Sequence, residues 1–220
     1  VLDHISVSWA TDENIGCNDA QNITFSNSIT YEALYDSNHE DDPSGNPGVV
    51  VPHSMGALFS LPSQLSIHHT MFARNVGRNP QLSGIAGTID HRYNYVHQGT
   101  NTLQIYTPTE ATSKCTPVNV VGNLVRETSP SRNGVLLTRY VGNNFCLYVE
   151  GNIGQDRPTP DLPEENFVGS SSQSADRIAS EFRSSPNSAP PITRNPFGGS
   201  PDSMNDDVRQ YVLKHAGCTK

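Results

Sequence analysis

The chain has 220 residues, enough for one domain with a sizeable core, and sets 14 Lys plus Arg against 22 Asp plus Glu, a formal charge of −8. That balance argues against nucleic acid and anionic membranes as partners, since both call for a basic patch, and no apolar run approaches the roughly 18 residues of a membrane span. With 34% hydrophobic residues, 17 Gly and 16 Pro, the composition is rich in turn formers and favours many short strands joined by loops.

The chain opens on "VLDHISVSW", which alternates like a strand and has neither an initiator methionine nor a signal peptide, the expectation for a mature or internal fragment. The alternation of residues 1–8 returns in "NITFSNSI" (22–29), "LSIHHTMF" (65–72), "TIDHRYNYV" (88–96), "VNVVGNLV" (118–125) and "CLYVEGNI" (146–153). Each copy places a small or amide residue just before another apolar one. The recurrence, roughly every 21 to 30 residues with a double gap after the second copy, signals a solenoid. A single strand cannot bury its apolar face, but stacked copies enclose a continuous core. Asparagines at equivalent turns would form amide ladders between coils and tolerate left-handed corners. An antiparallel sandwich is the competing all-β reading.

Two segments break the pattern. Residues 36–52 form an acidic Gly/Pro-rich loop, and residues 154–202 read as an extended tail. A short amphipathic helix follows within 203–217, with Ser203 as N-cap, Asp206 and Asp207 at its start, Lys214 and His215 near its end, and Gly217 as terminator. Cys17, Cys115, Cys146 and Cys218 have no CxxC spacing, so two disulfides or buried free thiols both fit. His4, His68, His69 and His91 read as stacked, hydrogen-bonded histidines at equivalent coil positions rather than as a zinc cluster. The sequon at 22–24 falls in a strand expected to be buried and is discounted.

"VLDHISVSWATDEN", "PHSMG", "LSIHHTMFARNVGRNPQLSG", "TIDHRYNYVHQG", "YVEGNIGQDRP" and "VLKHAG" stand in the order found in pectate lyases. The chain resembles that family over most of its length, least in 36–51 and 154–202. The resemblance implies an all-β fold, a right-handed parallel β-helix with long loops and a short C-terminal helix. Residues 1–153 would be the coils carrying the groove, with 154–220 as a tail and helix packed on the same domain. Family members carry further coils upstream of the Asp-His strand, which implies an N-terminal segment cleaved away or lying in another chain.

By the same resemblance, the function is that of a secreted, monomeric polysaccharide lyase. It would cleave polygalacturonate, an anionic polysaccharide, by calcium-assisted β-elimination. Asp12 and Glu13 would hold Ca2+, which accepts many oxygen ligands in flexible geometry. Adjacent strand residues point to opposite faces, so the chain must bend there for both to reach one ion. Arg78 matches the arginine that faces C5 of the sugar, as base or as stabiliser of the developing charge, with Pro80 stiffening its turn. Arg74 would bind substrate. His53 and Ser54 would contact sugar hydroxyls or cap a coil. Gln81 stands where many relatives have a second basic residue, and 36–52 lacks their lysine. A non-catalytic β-helix module binding acidic glycans is therefore the alternative.

Overall fold

The computed structural model describes residues 1–19, 21–36, 53–99, 102–106, 116–126, 136–138, 145–154, 158–159, 162, 168–169 and 206–218. The chain winds as a right-handed parallel β-helix. The first coil contributes β1 (Leu2–Asp3), β2 (Ser6–Ser8) and β3 (Glu13–Asn18); the second β4 (Gln21–Ser26), β5 (Ile29–Tyr31) and β6 (Met55–Ser60). The third gives β7 (Ser63–His68), β8 (Met71–Ala73) and β9 (Gln81–Ser83); the fourth β10 (Ile89–Arg92), β11 (Tyr95–His97) and β12 (Gln104–Tyr106). The fifth gives β13 (Thr116–Val121), β14 (Leu124–Arg126) and β15 (Leu136–Thr138), and the last β16 (Phe145–Glu150) and β17 (Val168–Gly169).

Through the first five coils every third strand stacks in parallel on its counterpart, and in the last coil β17 stacks on β15. Sheet A is β1-β4-β7-β10-β13-β16, sheet B β2-β5-β8-β11-β14 and sheet C β3-β6-β9-β12-β15-β17. The register Leu2↔Phe25, Phe25↔Ile67, Ile67↔His91, His91↔Val120 and Val120↔Val149 reproduces the expected spacing, the double gap included. Sheet C draws its last strand, β17, from residues 168–169. The 37–52 loop and most of the 154–202 tail lie outside the described residues, as do Ser203 and Cys115.

Inward-facing side chains fill the coils in layers: Phe25, Leu65, Ile67 and Val120 from sheet A, Phe72 and Val96 from sheet B, Phe59, Leu82 and Ile105 from sheet C, all buried. Phe25 contacts both Phe59 and Phe72 with ring centroids 6.3 Å apart. This is where the alternation of each sequence copy goes, since in a strand every second side chain shares a face.

Each of the first five quoted copies is two strands and the corner between them, and in the copy at 146–153 an isolated bridge from Ile153 to Leu124 takes the place of the second strand. The A-to-B corner turns on a left-handed residue in every coil: His4, Asn27, His69, Tyr93, Gly122 and Gly151. A side chain with positive φ is uncommon outside Gly, Asn and Asp, so three of these six positions, His4, His69 and Tyr93, run against local preference and are held by stacking. The next residue in coils four to six is an asparagine. The Asn94 side-chain amide donates to Asn123 Oδ1 at 3.1 Å, and that of Asn123 to Asn152 Oδ1 at 2.8 Å. Each amide also donates to a backbone carbonyl, of Ile67, His91 and Val120 in turn. Ser28 fills the equivalent place in coil two, accepting from the Ile5 N–H at 3.2 Å. The expected amide ladder is thus present and fully buried. Asn123→Ala orphans donors and acceptors on both sides, and unfolding by urea should show a loss of about 2–3 kcal/mol.

The histidines do not occupy one equivalent position. His4 and His69 are corner residues, His68 ends β7 opposite Arg92, and His91 lies inside β10 between Ile67 and Val120. The alternation of the two Asp-His pairs looks alike in sequence, but one pair sits at a corner and the other in mid-strand.

The C-terminal helix α1 (Asp206–His215) lies over the A-to-B corners. Its Val208 and Val212 pack with Met71, Tyr93, Tyr95, Leu124 and Ile153. Tyr211 meets His69 edge-on at 5.0 Å, and His69 stacks on Tyr93 at 5.6 Å. Burial, and then the charge of Asp3, push the Tyr211 hydroxyl up. Beyond the helix Gly217 takes φ +81°, as expected of a C-terminal stop, and its N–H donates to Asn27 O at 2.8 Å. Among the described residues no helix is long and apolar enough to cross a membrane.

Candidate functional site

The start of sheet C carries the side chains that sequence reasoning singles out. Glu13 pairs in register with Met55, and Met55 bridges to Gly77. Stacking therefore brings residues 12–13, 53–54 and 77–78 of three successive coils together. His53 Nε2 lies 2.7 Å from Asp12 Oδ1 although 41 residues separate them, and the Arg78 guanidinium lies 3.6 Å from the same oxygen. Arg78 also forms an ion pair with Glu13. The side chain of Glu13 is 9% exposed, that of Arg78 26% and that of Asp12 43%, so the cluster grades from a buried carboxylate to an open one.

Asp12 and Glu13 both reach Arg78 because the chain bends between Trp9 and β3. Trp9 takes φ +64°, and the Ala10 N–H donates to the Asn14 side chain at 3.1 Å, closing a tight turn. The bend expected for two adjacent carboxylates is present. Its focus in this structure is the arginine.

Arg78 is held by its backbone. It takes φ +54°, its N–H donates to Gln104 Oε1 at 3.1 Å, and its carbonyl accepts from Ala57 N–H at 2.7 Å. The following peptide, Asn79–Pro80, is cis. Beneath it runs an amide network. Asn75 accepts from Ala33 N–H at 3.1 Å and from the Asn14 amide at 3.3 Å, and donates to Asn79 Oδ1 at 3.1 Å. Asn75 and Asn79 are fully buried. Gly56 lies against them, and a Cβ there would sit 2.7 Å from Asn79 Oδ1 and 2.8 Å from Arg78 O. Asn14, Asn75, Asn79, Gln104 and Gly56 escaped sequence reasoning. The one available signal was the asparagine pair four residues apart around Arg78.

The other expected residues do not join the ion pairs of the cluster. Arg74 is at a B-to-C corner, largely exposed, and pairs with Glu32 at 3.0 Å. Ser54 is buried with φ +70°, and its hydroxyl accepts from Val76 N–H at 3.3 Å, which is the coil-capping alternative. Gln81 opens β9 opposite Leu58 and Gln104. Asp3 is structural in its contacts: burial pushes its carboxyl up, but hydrogen bonds from Ser26, Asn27 and His4 outweigh this and hold it below the usual value. Among the described residues Cys17 and Cys218 are free thiols. Asn22 of the sequon is exposed, so the burial used to discount it does not hold.

Asp12 and Glu13 offer hard carboxylate oxygens of the kind calcium takes, but calcium gathers about six to eight oxygens. Among the described residues no three His, Cys, Asp or Glu side chains converge as a metal site. The pair fits calcium in chemical type and falls short of it in number.

No family model matches the chain. It is 29% identical over its whole length to the probable pectate lyase C of Aspergillus flavus, and 29% to that of Aspergillus fumigatus. The probable pectate lyase C of Aspergillus oryzae is 28% identical over the same span. The chain covers 45% of each of these proteins, so it spans less than half the length of the curated relatives it matches. The likeness supports a pectate lyase-like family.

Proposed function

We propose that this β-helix is the part of a polysaccharide lyase that carries its catalytic arginine, acting on polygalacturonate by β-elimination. The observation that carries the reading is the meeting of Asp12, Glu13, His53 and Arg78 from three successive coils on one sheet edge. In the reaction a base removes the C5 proton of a uronate ring. Electron density shifts toward the ring carboxylate, the C4–O4 bond breaks as a C4=C5 double bond forms, and a proton goes to the leaving oxygen.

A guanidinium is almost always protonated, so Arg78 is assigned the electrostatic part: its positive charge faces the charge that builds on the C5 carboxylate. In the resting chain the Asp12 and Glu13 carboxylates engage that charge. A substrate carboxylate competes for Arg78 with them, and the exposed Asp12 contact is the one that yields first. His53, bonded to Asp12, fixes the rim of the cluster. Calcium, held by Asp12 and Glu13 with substrate oxygens completing its shell, would supply a second positive charge beside the uronate carboxylate. Secretion and a monomeric state belong to the same reading.

Polygalacturonate incubated with the protein should gain the ultraviolet absorbance of unsaturated uronide ends, and a chelator should suppress the gain. A flat trace with folded protein that still retains the polymer would favour the non-catalytic glycan-binding reading, to which Gln81 and the paired state of Arg78 lean.

A further inference from the structure

Burying one large apolar side chain stabilises a fold by about 1.5–3 kcal/mol, so a tryptophan left in water needs a reason. Trp9 is the sole tryptophan of the chain and is 67% exposed. Its ring is presented deliberately by the backbone. The positive φ, unfavourable for so bulky a residue, is held by the Trp9 N–H donating to Glu32 O at 3.2 Å on the next coil. Six large apolar side chains are exposed among the described residues, and three of them, Trp9, Leu34 and Tyr35, belong to this one corner. The Leu34 N–H donates to Ala10 O at 3.0 Å, so the two stretches lie on neighbouring coils.

The patch is continuous with the arginine cluster. Tyr35 O accepts from the His53 N–H at 2.9 Å, and the His53 side chain bonds Asp12. Trp9 stands three residues before Asp12, a reach of at most about 10 Å. Its other neighbour along the corner column is the exposed Glu32–Arg74 ion pair. Three apolar side chains broken by a charged pair make a poor protein-docking surface, since such patches run to several hundred Å² of continuous apolar area. A chain of charge −8 offers little to an anionic membrane. Sugar rings match the pattern. A pyranose has an apolar C–H face that lies flat on an aromatic ring and a polar rim that suits flanking arginine, histidine and carboxylates.

We propose that Trp9 and Tyr35 form a stacking platform for a ring of the same acidic glycan chain, adjacent to the ring that Arg78 engages. The platform rests on the polyuronate reading for the identity of its ligand. It adds a contact to the sugar face that is blind to the carboxylate and insensitive to salt. It also gives affinity to a cleft in which Gln81 replaces a cationic side chain.

Because Trp9 is the only tryptophan, its fluorescence reads the platform directly. On stopped-flow mixing, galacturonate oligomers should shift its emission to the blue and shield it from acrylamide. By calorimetry, Trp9→Ala should weaken oligomer binding about tenfold and Tyr35→Ala about threefold, while Trp9→Phe, which keeps an aromatic face, should stay within about twofold. Circular dichroism checks that each variant is folded. Oligomer binding that leaves the emission unmoved and is unchanged in Trp9→Ala overturns the platform and leaves the polyuronate reading standing. A shift with neutral cello-oligomers but none with galacturonate oligomers supports the platform and removes that reading. No shift and no binding with either glycan overturns both.

Discussion

Arg78→Ala should lower kcat on polygalacturonate by about a hundred- to a thousandfold, the usual loss when one charge-stabilising group is taken from a preorganised site. The substitution also reaches the fold, because Arg78 pairs with the carboxylate of Glu13, whose side chain is only 9% exposed. Removing one partner of such a pair destabilises by leaving the other charge poorly solvated. The melting temperature therefore has to be read beside the rate. Two further measurements separate chemistry from scaffolding. Arg78→Lys keeps the charge but loses the planar guanidinium whose Nη1 meets both Asp12 and Glu13, and should retain activity well above that of the alanine variant. Added guanidinium should restore part of the alanine variant's rate if the charge itself is what acts. A folded Arg78→Ala protein with wild-type kcat would remove Arg78 from the mechanism.

The second large effect is on acid stability. His91 lies in the core between Ile67 and Val120, is 2% exposed, and among the described residues has no hydrogen-bond partner at either ring nitrogen. Burial pushes it down to about 3 from an ordinary 6.5, with the opposing effect of its own backbone the smaller of the two. The sign follows from which state holds the proton. Above pH 6.5 His91 is neutral folded and unfolded, and its contribution is constant. Between pH 6.5 and about 3 the unfolded chain takes a proton that the native core refuses, so stability falls as pH falls, by about 1.4 kcal/mol per pH unit. The full loss is on the order of 4–5 kcal/mol. His91→Leu should abolish this slope and stabilise the neutral protein as well, since it replaces two unpaired nitrogens with apolar volume. Asp3 acts lower: its folded carboxyl lies below the ordinary 3.8, so its contribution is lost only beneath that value. Urea unfolding of wild type and His91→Leu between pH 4 and 7 isolates the histidine, and parallel curves would refute its assignment.

Much of the fold could be read from sequence because a solenoid repeats its register. The copies at 22–29, 65–72, 88–96 and 118–125 each mark an A-strand, a corner and a B-strand, the copy at 146–153 marks an A-strand and a corner, and Asn94, Asn123 and Asn152 mark the same corner three times. Sheet C left no comparable trace. Its strands β9, β12 and β15 have three residues each, too few for alternation to show. Nor do the left-handed corners at Trp9, Glu32, Arg74 and Gln98 have a local signature, since each is imposed by hydrogen bonds to the neighbouring coil rather than by the residue's own preference. The candidate site was legible residue by residue but not as an arrangement. Asp12, Glu13 and Arg78 stand out by type and by resemblance. That His53 bonds Asp12, that Arg74 turns to Glu32, and that Asn75 and Asn79 lie buried under Arg78 all depend on the coil-to-coil offset across an insertion, which only three-dimensional stacking fixes.

The stretch that follows helix α1 closes a circle in time as well as in space. Gly217 and Cys218 donate their N–H groups to Asn27 O and Ser6 Oγ in the first two coils of this sequence. A ribosome releases those coils long before it releases residues 206–218. Coil stacking can spread outward from wherever it starts, one neighbour at a time. The corner column of His4, Asn27, His69 and Tyr93 nevertheless waits, uncovered, until nearly all of this sequence has been translated. In the cell, then, the early coils pass through an interval in which a holdase or a stray apolar surface competes for the place that the late-arriving helix will take.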